Sequence, residues 1–133
     1  HHVSDYRRET WAELEEQLAI IPMIETPGAL QNLSIFDQPW VTACLVGPYD
    51  FLMSHGMDLT NFYQPGGSHE SIVRRAIDSC VAIGKPCGTV VANANMAVRW
   101  IGMGAKLIVC GELNRMLVDA AVHNIKVIKH ETG

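Results

Sequence analysis

The stretch "LAIIPMIETPG", residues 18–28, decides the fold expected of this chain, because an apolar run ends there in a carboxylate and a Thr-Pro-Gly breaker. An apolar run of this length without polar alternation is typical of a strand buried on both faces of a parallel sheet. We predict that strand over residues 18–24, with Pro22 at an end or an irregular point. A glutamate at the end of a buried strand is costly unless its charge is needed. Glu25 is therefore a candidate functional residue.

The same order of strand and helix recurs along the chain. Further strands are predicted over residues 41–47, 87–93 and 106–111, and helices over residues 4–17, 28–36, 68–84, 94–104 and 112–125. Residues 48–67 have no clean period and predict a long functional loop that has room for one helical turn. Four βα units after a leading helix indicate an α/β fold and amount to half of an eight-unit (β/α)₈ barrel, which usually needs about 250 residues. We predict one unit, residues 1–133.

Composition excludes several classes of function. The net charge of −4 gives no basic stripe for nucleic acid and no polybasic patch for a membrane surface. No apolar run approaches the roughly 20 residues of a membrane helix. The four cysteines form no CxxC pair, so buried free thiols in a reducing cytoplasm are expected rather than a disulfide or a zinc site.

A second acidic residue, Asp50, follows the next predicted strand in "CLVGPYD". In barrels of this type the chemistry lies at the carboxyl ends of the strands, so Glu25 and Asp50 could share one hard cation such as Mg²⁺ or Mn²⁺. Gly47 would allow a 2-oxo acid to approach closely, with its carboxylate on the backbone N–H groups of the "GPYD" turn. In the alternative interpretation, Glu25 caps the following helix and Asp50 only forms a turn.

The motifs "PMIETPGALQNL", "CLVGPYDFLMSHGM" and "IGKPCGTVVAN" resemble, in order and spacing, the C-terminal half of the HpcH/HpaI aldolase family. The resemblance implies a modified (β/α)₈ barrel and a divalent metal, Mg²⁺ or Mn²⁺ with Co²⁺ as a further option, held by Glu25 and Asp50. It implies class II aldol cleavage or formation of a carbon–carbon bond between pyruvate and an aldehyde. The residues that match the pyruvate site are Gly47, Pro48, Tyr49 and Met23.

The sequence departs from the family pattern at several of these positions. Met23 stands where a glutamine is usual, Tyr49 replaces a small residue, and Glu112 stands where an aspartate is common. The family's catalytic histidine and its substrate-polarising arginine lie on earlier strands, so no catalytic residue is assigned here. Neither role is assigned to the histidines and arginines of the predicted loop and helices. His55 is predicted to be a surface or loop-packing residue and His69 to lie in the first turn of a helix. Arg74, Arg75 and Arg99 are predicted to be solvated or paired on the outer helices.

Two hypotheses follow. In the first, the chain is the metal- and pyruvate-binding half of a lyase, inactive alone. In the second, it is a non-catalytic half-barrel that associates with itself. An open half-sheet exposes two edges, so both hypotheses require pairing with the missing N-terminal half or with another copy. The resemblance also implies a homo-oligomer in which the last helices are exchanged.

Overall fold

The structure, a computed structural model, describes residues 16–60 and 64–132. At its centre is a sheet of four parallel strands in the order β1-β2-β3-β4, each paired with the next along the chain. The strands are β1 Met23–Ile24, β2 Cys44–Val46, β3 Cys87–Val91 and β4 Leu107–Cys110. The helices are α1 Pro27–Gln31, α2 Pro48–Ser54, α3 Ser68–Ala82, α4 Ala94–Gly102 and α5 Leu113–Thr132, and a 3₁₀ turn, Leu33–Ile35, follows α1. The predicted α/β fold with four βα units is confirmed.

The register of the sheet brings the carboxyl ends of the strands to one edge. Ile24 pairs with Val46, and Val46 pairs with Thr89. The Gly47 N–H donates to the Ile24 carbonyl at 3.1 Å, and the buried Thr89 hydroxyl donates to the Val46 carbonyl at 3.1 Å. Glu25 and Gly47 therefore leave the sheet side by side, one residue beyond the last paired position.

One face of the sheet is covered by α3 and α4. The buried face of α3 consists of Val73, Ala76, Ile77 and Cys80, and these side chains pack against strand residues that include Cys44, Val46, Cys87 and Val91. Val81 lies about 100° around the helix from Cys80 and is 44% exposed, so it is outside this face.

The opposite side of the described chain is open. Met23 is 47% exposed, Val109 is 42% exposed, and every residue from Glu112 to Glu131 in and before α5 is exposed. The prediction that all four strands are buried on both faces is therefore wrong for the edge strands β1 and β4. Nothing in the described part of the chain covers the other face of these two strands. Among the described helices, none combines the length and apolarity needed to cross a bilayer.

Several predicted boundaries also change. The first strand shrinks from residues 18–24 to β1, preceded by a single Ile20–Val41 bridge, because Pro22 has no N–H to continue the ladder. The predicted loop 48–67 begins with a helix, α2, because Pro48 supplies the backbone angle of a first helical residue. The last helix continues past residue 125 to Thr132. The leading helix predicted over residues 4–17 lies almost wholly outside the described residues.

The cysteines are free thiols, as predicted. Cys44, Cys80 and Cys87 are buried together between β2, β3 and α3, whereas Cys110 is exposed. Burial raises the pKa of the Cys44 thiol to about 11, and the neighbouring Cys80 adds to that rise. The pKa of Cys80 is also raised, chiefly by its hydrogen bond with Cys87 and then by burial. These three side chains behave as apolar core groups.

Candidate functional site

The Glu25 side chain lies across Gly47. A methyl group built on Gly47 would come within 2.8 Å of Glu25 Oε1, 2.9 Å of Glu25 Cγ and 3.0 Å of Met23 Cε. Met23 and Glu25 are two residues apart at the end of β1, so their side chains share one side of the chain. The missing side chain at Gly47 is what leaves room for the glutamate.

Glu25 does not cap the helix that follows it. The N-cap of α1 is Thr26, whose hydroxyl oxygen accepts the Ala29 N–H at 3.2 Å. Thr26 before Pro27 is a regular helix-start pattern, since proline favours the first helical position. The capping interpretation of Glu25 is wrong, and its partly exposed carboxylate is left for another role.

Asp50 is an exposed residue in the first turn of α2, after the N-cap Gly47 and the first helical residue Pro48. The interpretation of "GPYD" as a tight turn is therefore wrong, because these residues begin a helix. The positive end of the helix dipole favours a carboxylate at this position. The same helix end directs backbone N–H groups outward at the edge where Glu25 lies.

A hydrogen bond connects α2 with the end of β1. The Ser54 hydroxyl oxygen lies 3.0 Å from the Glu25 carbonyl oxygen and 2.7 Å from the Phe51 carbonyl oxygen. Asp50 and Ser54 are four residues apart, and residues with this spacing lie on the same face of a helix. The face of α2 that carries Asp50 is thus the face that contacts Glu25, while Leu52 is fully buried on the opposite side and Phe51 is fully buried about 100° from Asp50.

Neither carboxylate has a hydrogen-bond or ion-pair partner among residues 16–60 and 64–132. Within those ranges no group of three or more acidic, histidine or cysteine side chains is arranged for a metal ion. A pair of carboxylates fits a hard cation that completes its shell with water and ligand oxygens, as Mg²⁺ commonly does. It does not fit a zinc site built only from protein side chains.

The four residues predicted to bind the pyruvate unit lie in the same two segments as the carboxylates, with Met23 on β1 and Gly47, Pro48 and Tyr49 at the start of α2. Gly47 and Pro48 are buried, and Tyr49 and Met23 are about half exposed. Pro48 has no N–H, so any anion held by the backbone here would use the other amides of the first turn of α2. The structure brings all four residues to the same end of the sheet as Glu25 and Asp50.

Four histidines and arginines near the site form contacts within the fold, and these residues are His55, His69, Arg74 and Arg99. His55 Nδ1 lies 2.7 Å from the Phe51 carbonyl oxygen at the end of α2, and His69 Nε2 lies 2.6 Å from the Asp58 carbonyl oxygen. Arg99 on α4 forms a two-bond ion pair with Glu70 on α3, with distances of 2.6 and 2.8 Å. Arg74 lies 3.7 Å from Asp78 on an exposed surface.

An apolar cavity of about 40 Å³ lies behind α2, away from the two carboxylates. Pro48 and Leu52 face it from α2, and the Glu70–Arg99 ion pair borders it. Its lining also includes Gln64, His69 and Thr89, but neither Glu25 nor Asp50 lines it. We therefore locate the candidate site at the opposite face of α2.

Sequence reasoning did not find Ser54 or Thr89, which fix the ends of α2 and β2 through hydrogen bonds to main-chain carbonyls. A serine or threonine that bonds a carbonyl 29 or 43 residues away leaves no local pattern. The Glu70–Arg99 pair is equally non-local. Thr26 could have been found, because a threonine directly before proline at the start of a helix is a capping signal.

Comparison with known proteins identifies relatives, although no family model matches the chain. The hydroxypyruvate/pyruvate aldolase of Delftia acidovorans is 32% identical over 92% of this chain and 44% of its own length. The 2-keto-3-deoxy-L-rhamnonate aldolase of Salmonella paratyphi B is 26% identical over 89% of this chain and 43% of its own length. The chain thus spans less than half the length of these relatives.

Solved structures agree on the fold. An HpcH/HpaI aldolase/citrate lyase family protein of Burkholderia cenocepacia superposes with a TM-score of 0.73 and 22% identity, over 86% of this chain and 44% of that protein. The four consecutive parallel strands therefore correspond to about half of a TIM-barrel-type fold. The aldolase relatives and the shared fold confirm the predicted resemblance to the HpcH/HpaI aldolase family, of whose members the chain covers only a part.

Proposed function

We propose that this chain is the metal- and pyruvate-binding part of a class II aldolase that cleaves or forms a carbon–carbon bond in 2-oxo acids. One observation carries the proposal: Glu25 and the face of α2 that bears Asp50 adjoin across Gly47, and neither carboxylate has a partner in the described residues. The aldolase relatives support the reaction class.

The metal of this proposal is Mg²⁺ or Mn²⁺, held by Glu25 and Asp50. Two carboxylates with room for waters and substrate oxygens suit either ion. A bound divalent ion would act as a Lewis acid on the 2-oxo group of the substrate. Because the Glu25 and Met23 side chains lie over Gly47, a keto acid at this position would meet these two side chains.

The substrate proposal assigns separate tasks to the neighbouring groups. The first-turn amides of α2 orient the substrate carboxylate, since a helix start favours an anion. Tyr49 and Met23, each about half exposed, border the bound pyruvate unit and restrict the space beside it. A methionine cannot donate a hydrogen bond, so Met23 shapes the site by contact alone.

Pairing with a further half-barrel is part of the proposal. The exposed apolar residues of β1, β4 and α5 are the ones that a second half would cover, either the N-terminal half of the same enzyme or another copy of this chain. The same exposure favours the second candidate, a non-catalytic half-barrel that associates with itself, with exchanged last helices as one arrangement. The buried free thiols support a reducing, cytoplasmic location.

A chimera tests the lyase proposal. In the Delftia acidovorans aldolase, this chain would replace the segment it matches. We expect Mn²⁺-dependent release of pyruvate from a 4-hydroxy-2-oxo acid, followed with lactate dehydrogenase and NADH, and no release from the 133-residue chain alone. The chimera with Glu25→Gln is the matched control and should lose the activity. A folded chimera that is inactive would favour the non-catalytic candidate, and a chimera that Glu25→Gln leaves fully active would refute the metal-binding role of Glu25.

A further inference from the structure

We propose that Ser54 is a positioning residue for the metal site, in that its hydroxyl holds the Asp50 face of α2 against the Glu25 main chain. The inference rests on the proposed function, because it assumes that Glu25 and Asp50 share an ion. It starts from one contact, the 3.0 Å separation of Ser54 Oγ and the Glu25 carbonyl oxygen.

The Ser54 hydroxyl can donate to either of two carbonyl oxygens, those of Glu25 and Phe51. The surrounding contacts favour donation to Glu25. The Phe51 carbonyl lies 2.7 Å from Ser54 Oγ, but it also lies 2.7 Å from His55 Nδ1, which can donate to it. No other described group donates to the Glu25 carbonyl. Donation from Ser54 to Glu25 and from His55 to Phe51 leaves both carbonyls satisfied.

The bond acts where the sheet no longer constrains the chain. The last ladder bond between β1 and β2 is the one from the Gly47 N–H to the Ile24 carbonyl. Beyond it, Glu25 and α2 separate, and the Ser54 contact reconnects them at the far end of the helix. The segment from Gly47 to Ser54, which carries Asp50, is thereby held against the end of β1 at both of its ends.

Loss of this bond should loosen the site without unfolding the helix. α2 is anchored by Phe51 and Leu52, both fully buried, and Ser54 itself is exposed. Truncating Ser54 therefore creates no cavity and removes no core contact. Without the Ser54 bond, the angle between α2 and the end of β1 is no longer fixed. The distance between the two carboxylates is then no longer fixed either.

The test is a Mn²⁺ titration of the full 133-residue chain, in which free Mn²⁺ is measured by electron paramagnetic resonance. Ser54→Ala should weaken binding roughly three- to tenfold, the loss expected for one hydrogen bond. Ser54→Thr keeps the hydroxyl and should bind within about twofold of the wild type, since only the lost bond carries that three- to tenfold effect. Ser71→Ala is the matched control, because exposed Ser71 also bonds a carbonyl three residues back, at 2.8 Å, but has no long-range partner. It should leave binding unchanged.

The outcomes separate this inference from the proposed function. If Glu25→Gln and Asp50→Asn abolish binding while Ser54→Ala binds like the wild type, the site stands and the role of Ser54 is refuted. The role is also refuted if Ser54→Thr binds as weakly as Ser54→Ala. If the wild-type chain binds no Mn²⁺, or the two carboxylate variants bind it normally, the proposed function fails. Circular dichroism of each variant confirms that the helices are retained.

Discussion

Replacing Gly47 with alanine offers a sharp test of how the site is built. The backbone of Gly47, with φ −80° and ψ 94°, is one that alanine adopts without strain. The added methyl group would nevertheless lie 2.8 Å from Glu25 Oε1 and 3.0 Å from Met23 Cε. Because these contacts, and a third with Glu25 Cγ at 2.9 Å, are with side chains rather than backbone, the fold should persist while Glu25 is displaced.

The size of the effect follows from these distances. Non-bonded carbon contacts are most favourable at about 3.5–4.0 Å, so Glu25 must move by roughly half an ångström or more. Holding a side chain off its preferred rotamer by such a shift costs about 0.5–1.5 kcal/mol. That cost would have to be met each time the carboxylate returned to the ion, which corresponds to roughly two- to tenfold weaker metal binding.

The assay is isothermal titration of Mn²⁺ into the Gly47→Ala chain, with Gly28→Ala as the control. A methyl group at Gly28 meets only Thr26 Oγ1, at 3.9 Å, which is an ordinary contact. Gly28→Ala should therefore keep wild-type affinity, and its place in α1 should leave stability equal or slightly higher. Wild-type affinity in a folded Gly47→Ala chain would refute the arrangement of Glu25 over Gly47.

Three further predictions concern the fold. Gly88→Ala should reduce the free energy of unfolding by about 1–3 kcal/mol or more, because the new methyl group would overlap the backbone of Leu107 in β4. Urea denaturation measures this loss, and unchanged stability would contradict the register of β3 and β4. In the native chain, Ellman's reagent should react rapidly with Cys110 alone, and rapid reaction of a second thiol would contradict the buried cluster. The hydrogen bond from Arg99 lowers the pKa of Glu70 below its ordinary value of 4.5. A carboxylate whose pKa is lowered by folding stabilises the fold fully above about pH 4.5, and this stabilisation is lost as the pH falls. The difference in free energy of unfolding between wild type and Glu70→Gln should therefore be largest at pH 7 and shrink below pH 4.5. A difference that stays constant from pH 7 to pH 3 would contradict this prediction.

The sequence predicted the strand order and the helical units because each unit carries its own local signal. The apolar runs around Ile24 and Val46 mark the strands, and the 3.6-residue pattern from Ser68 marks α3. Exposure of the edge strands could not be predicted, because an apolar run has the same sequence pattern whether or not another element packs against the strand. That is why Val109, which lies in a predicted buried strand, was expected to be buried.

The candidate site could be predicted only at the level of residue types. Glu25 and Asp50 stood out because a carboxylate follows a buried strand in each case. The helical setting of Asp50 was missed, since the signal of Pro48 at a helix start is weak beside the irregular residues that follow. The Ser54 contact depends on how α2 packs, and tertiary packing leaves no trace in local spacing.

The most direct test of the shared metal site is a crystal of this chain grown with Mn²⁺ and pyruvate, examined by anomalous diffraction. We expect one strong manganese peak bridging Glu25 and Asp50, with each carboxylate oxygen at about 2.1 Å, as for comparable hard cations. Pyruvate oxygens should complete the coordination on the Gly47 side. Manganese bound elsewhere, or carboxylates directed away from each other with no peak between them, would contradict the account.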